Sequence, residues 1–140
     1  MNRSLLLLVL LELTACGKKD DAAPAANASI VGTWNLQSRR EQQVVLNGAA
    51  GTNADNTVPY ANATVTYAAD GTYSGLVNGV AFSPGATYAL NGTTLTTTFP
   101  VIGPVSAQVT ELSATRLVLV QTDQNYNNTL RIITTTTATR

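Results

Sequence analysis

No histidine occurs anywhere in these 140 residues, and cysteine occurs once. The first absence removes imidazole as a general base, a proton shuttle or a metal ligand. The second removes any internal disulfide, and a single thiol cannot build a thiolate zinc site. Charge is scarce as well: Asp, Glu, Lys and Arg make up 11% of the chain, against about a quarter in an ordinary soluble domain. The formal net charge is zero, so there is no electrostatic footprint for nucleic acid. Serine and threonine are plentiful, but a hydroxyl nucleophile needs an adjacent base. Lys18 and Lys19 lie in a segment without core-forming residues. Glu41, Asp55, Asp70 and Glu111 show no spacing suited to a catalytic carboxylate pair, and Asp70 is taken by its own turn. The segment 47–62, with Asp55, lacks the regular acidic ligands of a calcium loop. No catalysis, cofactor or metal is expected.

What the chain does have begins at its first residue. Met1-Asn2-Arg3 supplies a positive start, Ser4 to Leu13 an apolar run, and small residues then lead to Cys16. The run has the length of a signal-peptide core and is too short for a bilayer, which takes about 20 apolar residues. Leu13-Thr14-Ala15-Cys16 resembles the lipobox of bacterial lipoproteins, with Glu12 a departure inside the apolar run. The resemblance implies that Leu13, Thr14 and Ala15 are recognised by the processing machinery. Cys16 then carries a diacylglycerol and becomes the first residue of the mature protein. An ordinary secretory signal with a leftover thiol is the alternative. Residues 1–15 are thus expected as signal peptide and 16–29 as a flexible tether, because the charged, Ala-rich stretch cannot bury enough apolar surface to offset its ordering entropy. In the lipoprotein family, Gly17 rather than Asp after the cysteine suits the outer membrane. Lys18-Lys19-Asp20-Asp21 is similar to signals that send some lipoproteins to the cell exterior, although a plain solvated linker reads the same way.

A domain spanning 30–140 follows. Ile30 to Leu36 alternates with a period of two, placing Ile30, Gly32, Trp34 and Leu36 on one face. Trp34 is the sole tryptophan and the largest single contribution to a core. Gly32, two positions earlier on that face, leaves room for a bulky neighbour or a second backbone. Short apolar-alternating runs then follow, separated by Asn47-Gly48, Asp70-Gly71, Asn78-Gly79, Ser83-Pro84-Gly85, Asn91-Gly92, Pro100 to Pro104 and Ser113-Ala114-Thr115. Eight or nine strands with no helical periodicity predict an all-β antiparallel meander. Its edges lack the lysines and prolines that usually protect them, so closure into an up-and-down barrel of about eight strands is favoured over a two-sheet sandwich. Thr134 to Thr137 reads as a solvated last strand that frays.

The run Val31-Gly32-Thr33-Trp34, the hairpin Ala69-Asp70-Gly71-Thr72-Tyr73, and Gly85-Ala86-Thr87-Tyr88 leading into Leu90-Asn91-Gly92-Thr93-Thr94-Leu95 look like the small lipocalin-like domains of bacterial lipoproteins. In that family an arginine of the last strand packs on the tryptophan of the Gly-x-Trp element. The resemblance nominates Arg131 for that place. It also implies a barrel whose interior holds a small hydrophobic molecule, with Leu36, Tyr67, Tyr73, Tyr88, Leu95, Phe99, Leu117 and Leu119 as lining candidates. The expected protein is a monomer held at the bacterial outer membrane by a lipid on Cys16. The competing expectation is a non-catalytic module that docks on an envelope protein or glycan through Asn- and Thr-rich loops.

Overall fold

A computed structural model describes residues 28–124 and 128–140. The signal-like run, the lipobox residues Leu13, Thr14 and Ala15, and Cys16 lie outside the described residues. Nine strands fill the described chain: β1 (Gly32–Val45), β2 (Ala54–Pro59), β3 (Ala63–Tyr67), β4 (Thr72–Val77), β5 (Val80–Asn91), β6 (Thr94–Phe99), β7 (Gly103–Leu112), β8 (Arg116–Gln124) and β9 (Leu130–Thr139). Among the described residues there is no helix. From β3 to β9 each strand pairs with the next in sequence, and β9 returns to β1. The result is a closed eight-stranded antiparallel barrel with β2 as a ninth strand outside the ring. The expected closure is the observed architecture, and the sandwich is not.

The closing seam is the β1–β9 ladder, from Asn35↔Thr139 to Val45↔Leu130. Thr134 to Thr137 belongs to that seam and pairs on its other edge with Gln121 to Val118 of β8. These threonines do not form a fraying end as expected. β-branched residues suit a strand bonded along both edges. β1 is long enough to serve three partners. Its first part, Gly32 to Asn35, pairs with β3, while Ser38 to Gln43 on the same edge pairs with β2. Every residue of β2 is exposed, as befits a strip that lies beyond the ring.

Ser83-Pro84-Gly85, expected as a break, lies inside β5. The β4–β5 register passes from Tyr73↔Ala86 directly to Gly75↔Phe82. Three residues of β5 therefore stand opposite one of β4. Ser83 and Gly85 take positive φ, 61° and 74°, and Pro84 is exposed, so the missing amide costs no ladder bond. A bulge of this kind bends the strand without ending it. Asn78-Gly79 forms the two-residue β4–β5 turn with both φ positive, 51° and 77°, matching the right-handed twist of the flanking strands.

Strand direction gives the barrel two unlike ends. The loops β3–β4, β5–β6 and β7–β8 lie at the end where β1 starts, and residues 28–31 join them there. The loops β1–β2, β4–β5, β6–β7 and β8–β9 surround the opposite mouth. At the closed end the buried core holds Ile30, Trp34, Val109, Leu112, Leu117 and Ala138. Several apolar side chains remain uncovered in the mouthward region, with Val101 94% and Val80 70% exposed.

Candidate functional site

The closed end is organised on Trp34, which is fully buried. Its indole Nε1 donates to the Ile30 carbonyl at 2.8 Å, which satisfies the one polar atom of the ring. Arg140 lies over the indole with its guanidinium carbon 4.0 Å from the ring centroid. The same guanidinium donates to the carbonyls of Val31 at 3.0 Å, Ser29 at 2.6 Å and Ala114 at 2.9 Å. A single side chain thus ties the segment before β1 and the β7–β8 turn to the floor of the barrel. Gly32 is the residue that lets it pass: a Cβ there would stand 2.8 Å from Arg140 Nη1, and φ is +134°. The bulky neighbour for which Gly32 makes room is this guanidinium.

The arginine on Trp34 is therefore Arg140 and not Arg131. In the β1–β9 register Asn35 faces Thr139, whereas Arg131 faces Val44 near the other end of β1. At about 3.3 Å per residue, Arg131 lies far beyond the reach of the indole. It faces Gln124 of β8 instead.

Above this floor the barrel is hollow. A cavity of about 210 Å³ runs from Ala138 and Leu117 near the closed end to Phe99 at the mouthward end of β6. Leu36, Tyr67, Tyr73, Leu95, Phe99, Leu117 and Leu119 all border it. Their strands present alternate residues inward, so period-two spacing brings them to one space. Tyr88 does not border it. This tyrosine packs edge-on against Tyr67, with centroids 5.0 Å apart, and its hydroxyl donates to the Ala68 carbonyl at 2.8 Å. It supports the wall from the closed end.

The wall has two kinds of surface. On β3 to β6 it is aromatic: Tyr73 meets Tyr67, Phe82 and Phe99 at centroid distances of 5.2, 6.4 and 5.9 Å. Tilted and edge-to-face contacts of this kind add about 0.5–1.5 kcal/mol each beyond buried area. The cluster depends on Gly75, because any Cβ there would run into the Phe82 ring. On β8 and β9 the wall is mixed, with Gln121, Thr134 and Thr136 adding polar groups beside the apolar Leu117, Leu119 and Ala138. Neither Phe82 nor these polar residues stood out in the sequence. Phe82 is isolated beside a turn signal, and a threonine in a strand reads as outward-facing unless the register is known. No described lining residue is charged.

Burial raises the pKa of the lining phenols. Tyr67, 3% exposed, is pushed well above the ordinary phenol value by desolvation and by the neighbouring Tyr73 and Tyr88. Tyr73 is pushed up to about 12, chiefly by desolvation and then by Tyr60. Both phenols stay neutral at any physiological pH and are able to donate. The carboxylates weighed for catalysis are each held by a partner, and Glu41, opposite Thr134 of β9, shares the inner face of the barrel near its mouth. Glu41 pairs with Arg39 at 2.6 Å, Asp55 with Arg40 at 2.9 Å, and Glu111 with Arg116 at 2.8 Å. Asp70 accepts from the Thr72 amide at 2.9 Å and its hydroxyl at 2.7 Å, which holds the β3–β4 turn. Among the described residues no group of His, Cys, Asp and Glu is placed to hold a metal ion.

Comparison of the chain with protein-family models, with curated proteins and with solved structures finds no match.

Proposed function

We propose that this chain is a bacterial lipoprotein, anchored in the outer membrane through a lipid on Cys16, whose lipocalin-like barrel binds a small hydrophobic molecule. The observation that carries the binding half is the interior cavity of about 210 Å³, walled by an aromatic cluster and seated on a closed floor. Concave, mostly apolar spaces with a few placed polar groups are where small ligands bind. The anchor half is carried by Leu13-Thr14-Ala15-Cys16 behind a short apolar run. The two halves are compatible in space. Residues 28–31 join the barrel at its closed end, so a tether from Cys16 attaches at the end away from the mouth. Catalysis has no part in this reading.

Two measurements test it. Metabolic labelling with a palmitate analogue, followed by intact-mass analysis, should show acyl chains on the wild type and none on Cys16→Ala. A secreted wild type with a bare sulfur overturns the anchor. For the barrel, titration with small hydrophobic probes should shift tyrosine and tryptophan fluorescence saturably, and a lack of response to all probes overturns the binding role.

One observation favours the second reading, a docking module. Val101 and Ile102, in the β6–β7 loop at the mouth, are 94% and 70% exposed. Cross-linking in intact cells from a reporter at Val101 should then return a reproducible envelope neighbour, and its absence sinks that reading.

A further inference from the structure

The chemistry of the cavity wall narrows the ligand, on the premise that the barrel binds one at all. Three observations converge. The first is the absence of charge from the described lining. A carboxylate drawn into this space would lose its hydration, and the inward-facing cation at the mouth, Arg39 opposite Thr136, is already paired with Glu41, so entry is prohibitive unless the acid picks up a proton. The second is size. At about 210 Å³ the space is somewhat larger than a cavity of about 150 Å³ that holds benzene. It accommodates one ring with a small substituent, whereas most of a long acyl chain would have to extend through the mouth into water.

The third observation is a set of hydroxyls without protein partners. Tyr67 is 97% buried by complement of its 3% exposure, and among the described residues its hydroxyl makes no hydrogen bond, nor does that of Tyr73. Among the described residues no buried side-chain polar atom is sealed off without a partner, so both phenol oxygens retain contact with open space, and both residues border the cavity. Thr134 and Thr136 also border it. In a ring ordered β1-β3-β4-β5-β6-β7-β8-β9, β4 and β5 stand across the lumen from β8 and β9. The aromatic rings therefore oppose the hydroxyl-bearing strands. A flat ring lies against the first surface, and an oxygen acceptor at its rim answers the unpaired phenols of Tyr67 and Tyr73.

We propose that the barrel selects an uncharged single-ring molecule carrying a carbonyl oxygen, and discriminates against carboxylates and long-chain fatty acids. Buried phenols are strong donors to a carbonyl, and a donor left unpaired by an all-hydrocarbon ligand loses that gain. A selective hydrogen bond of ordinary strength corresponds to about a threefold to tenfold affinity margin.

The test uses the full chain and four probes: acetophenone, cumene, benzoate and palmitate, titrated by calorimetry or ligand-observed NMR. The first three have equal numbers of heavy atoms and differ in the acceptor and the charge. Acetophenone should bind about threefold to tenfold more tightly than cumene, with benzoate and palmitate giving no saturable signal. Tyr67→Phe and the double variant Tyr67→Phe, Tyr73→Phe keep the rings and delete only the hydroxyls. In the double variant the margin of acetophenone over cumene should vanish while cumene binding persists, which also reports that the cavity is intact. The proposal is overturned if benzoate or palmitate binds as tightly as acetophenone, or if the margin survives in the double variant. If none of the four probes binds, the binding role itself falls, and this selectivity with it.

Discussion

Replacing Arg140 by Gln removes the clamp on the closed end, and the loss can be worked from its contacts. The cation over the Trp34 indole contributes about 0.5–1 kcal/mol where the cation is solvent-exposed. Three carbonyls, of Ser29, Val31 and Ala114, lose their donor. Water can replace part of each bond, so the net loss is about 0.5–1 kcal/mol per bond. The sum is about 2–4 kcal/mol, which for a domain near 110 residues lowers the unfolding midpoint by about 8–16 °C. Thermal unfolding followed by the fluorescence of Trp34, the only tryptophan, reads the change at the site itself. Arg140→Lys should fall between the two, since it keeps the charge but loses the planar fork that serves three carbonyls together. Arg131→Gln is the control, and it should cost about 1 kcal/mol or less, because it touches nothing at the floor. A midpoint for Arg140→Gln within about 2 °C of wild type refutes the clamp. So does an Arg131→Gln loss of equal size.

Three other outcomes are expected. Trp34→Ala should destabilise by about 3–5 kcal/mol, as a fully buried large ring leaves a cavity that the barrel cannot collapse into; chemical denaturation followed by circular dichroism measures it, and an unchanged midpoint shows that Trp34 is not core. Gly75→Ala should force the Phe82 ring aside, costing about 1–3 kcal/mol as overpacking, and should weaken cumene uptake; equal stability and uptake in both proteins would mean that the Phe82 position is not fixed by Gly75. Tyr73 ionises near 12 in the folded protein against 10.0 as the unperturbed reference. Below pH 10 its contribution is fully present, and because the unfolded chain gives up the proton first, stability declines as pH rises from about 10 to about 12. Tyrosinate absorbance should lag in the folded protein over that window and Tyr73→Phe should soften the decline; a decline that is the same in both proteins would assign it to other groups.

Much of the barrel is written locally. Alternating Ile30 to Leu36, Ala63 to Tyr67 and Thr93 to Phe99, separated by dipeptides such as Asp70-Gly71 and Asn78-Gly79, carry strand and turn dihedrals within a few residues of one another. That suffices for an all-β meander, for burial of Trp34, and for the fact that Gly32 must admit a neighbour. It also places most of the inward-facing apolar residues, because the pleat has a period of two wherever a strand is regular. Where regularity fails, the local reading fails with it. Ser83-Pro84-Gly85 has the composition of a turn but sits in a bulge, since the hydrogen bonds of β4 resume beyond it.

What only the tertiary structure decides depends on residues some hundred positions apart. The identity of the arginine on Trp34 is set by the β1–β9 register, with Asn35 beside Thr139, and no local propensity encodes a register between distant strands. The same seam turns Thr134 and Thr136 toward the lumen, brings polar groups to the wall from a stretch that reads as solvated, and leaves the Tyr67 and Tyr73 hydroxyls facing open space. Ring size then settles whether the interior is filled or hollow. Side-chain identities alone supply the volume of the wall, but the volume it encloses follows from how many strands close the ring and how far each is offset from the next.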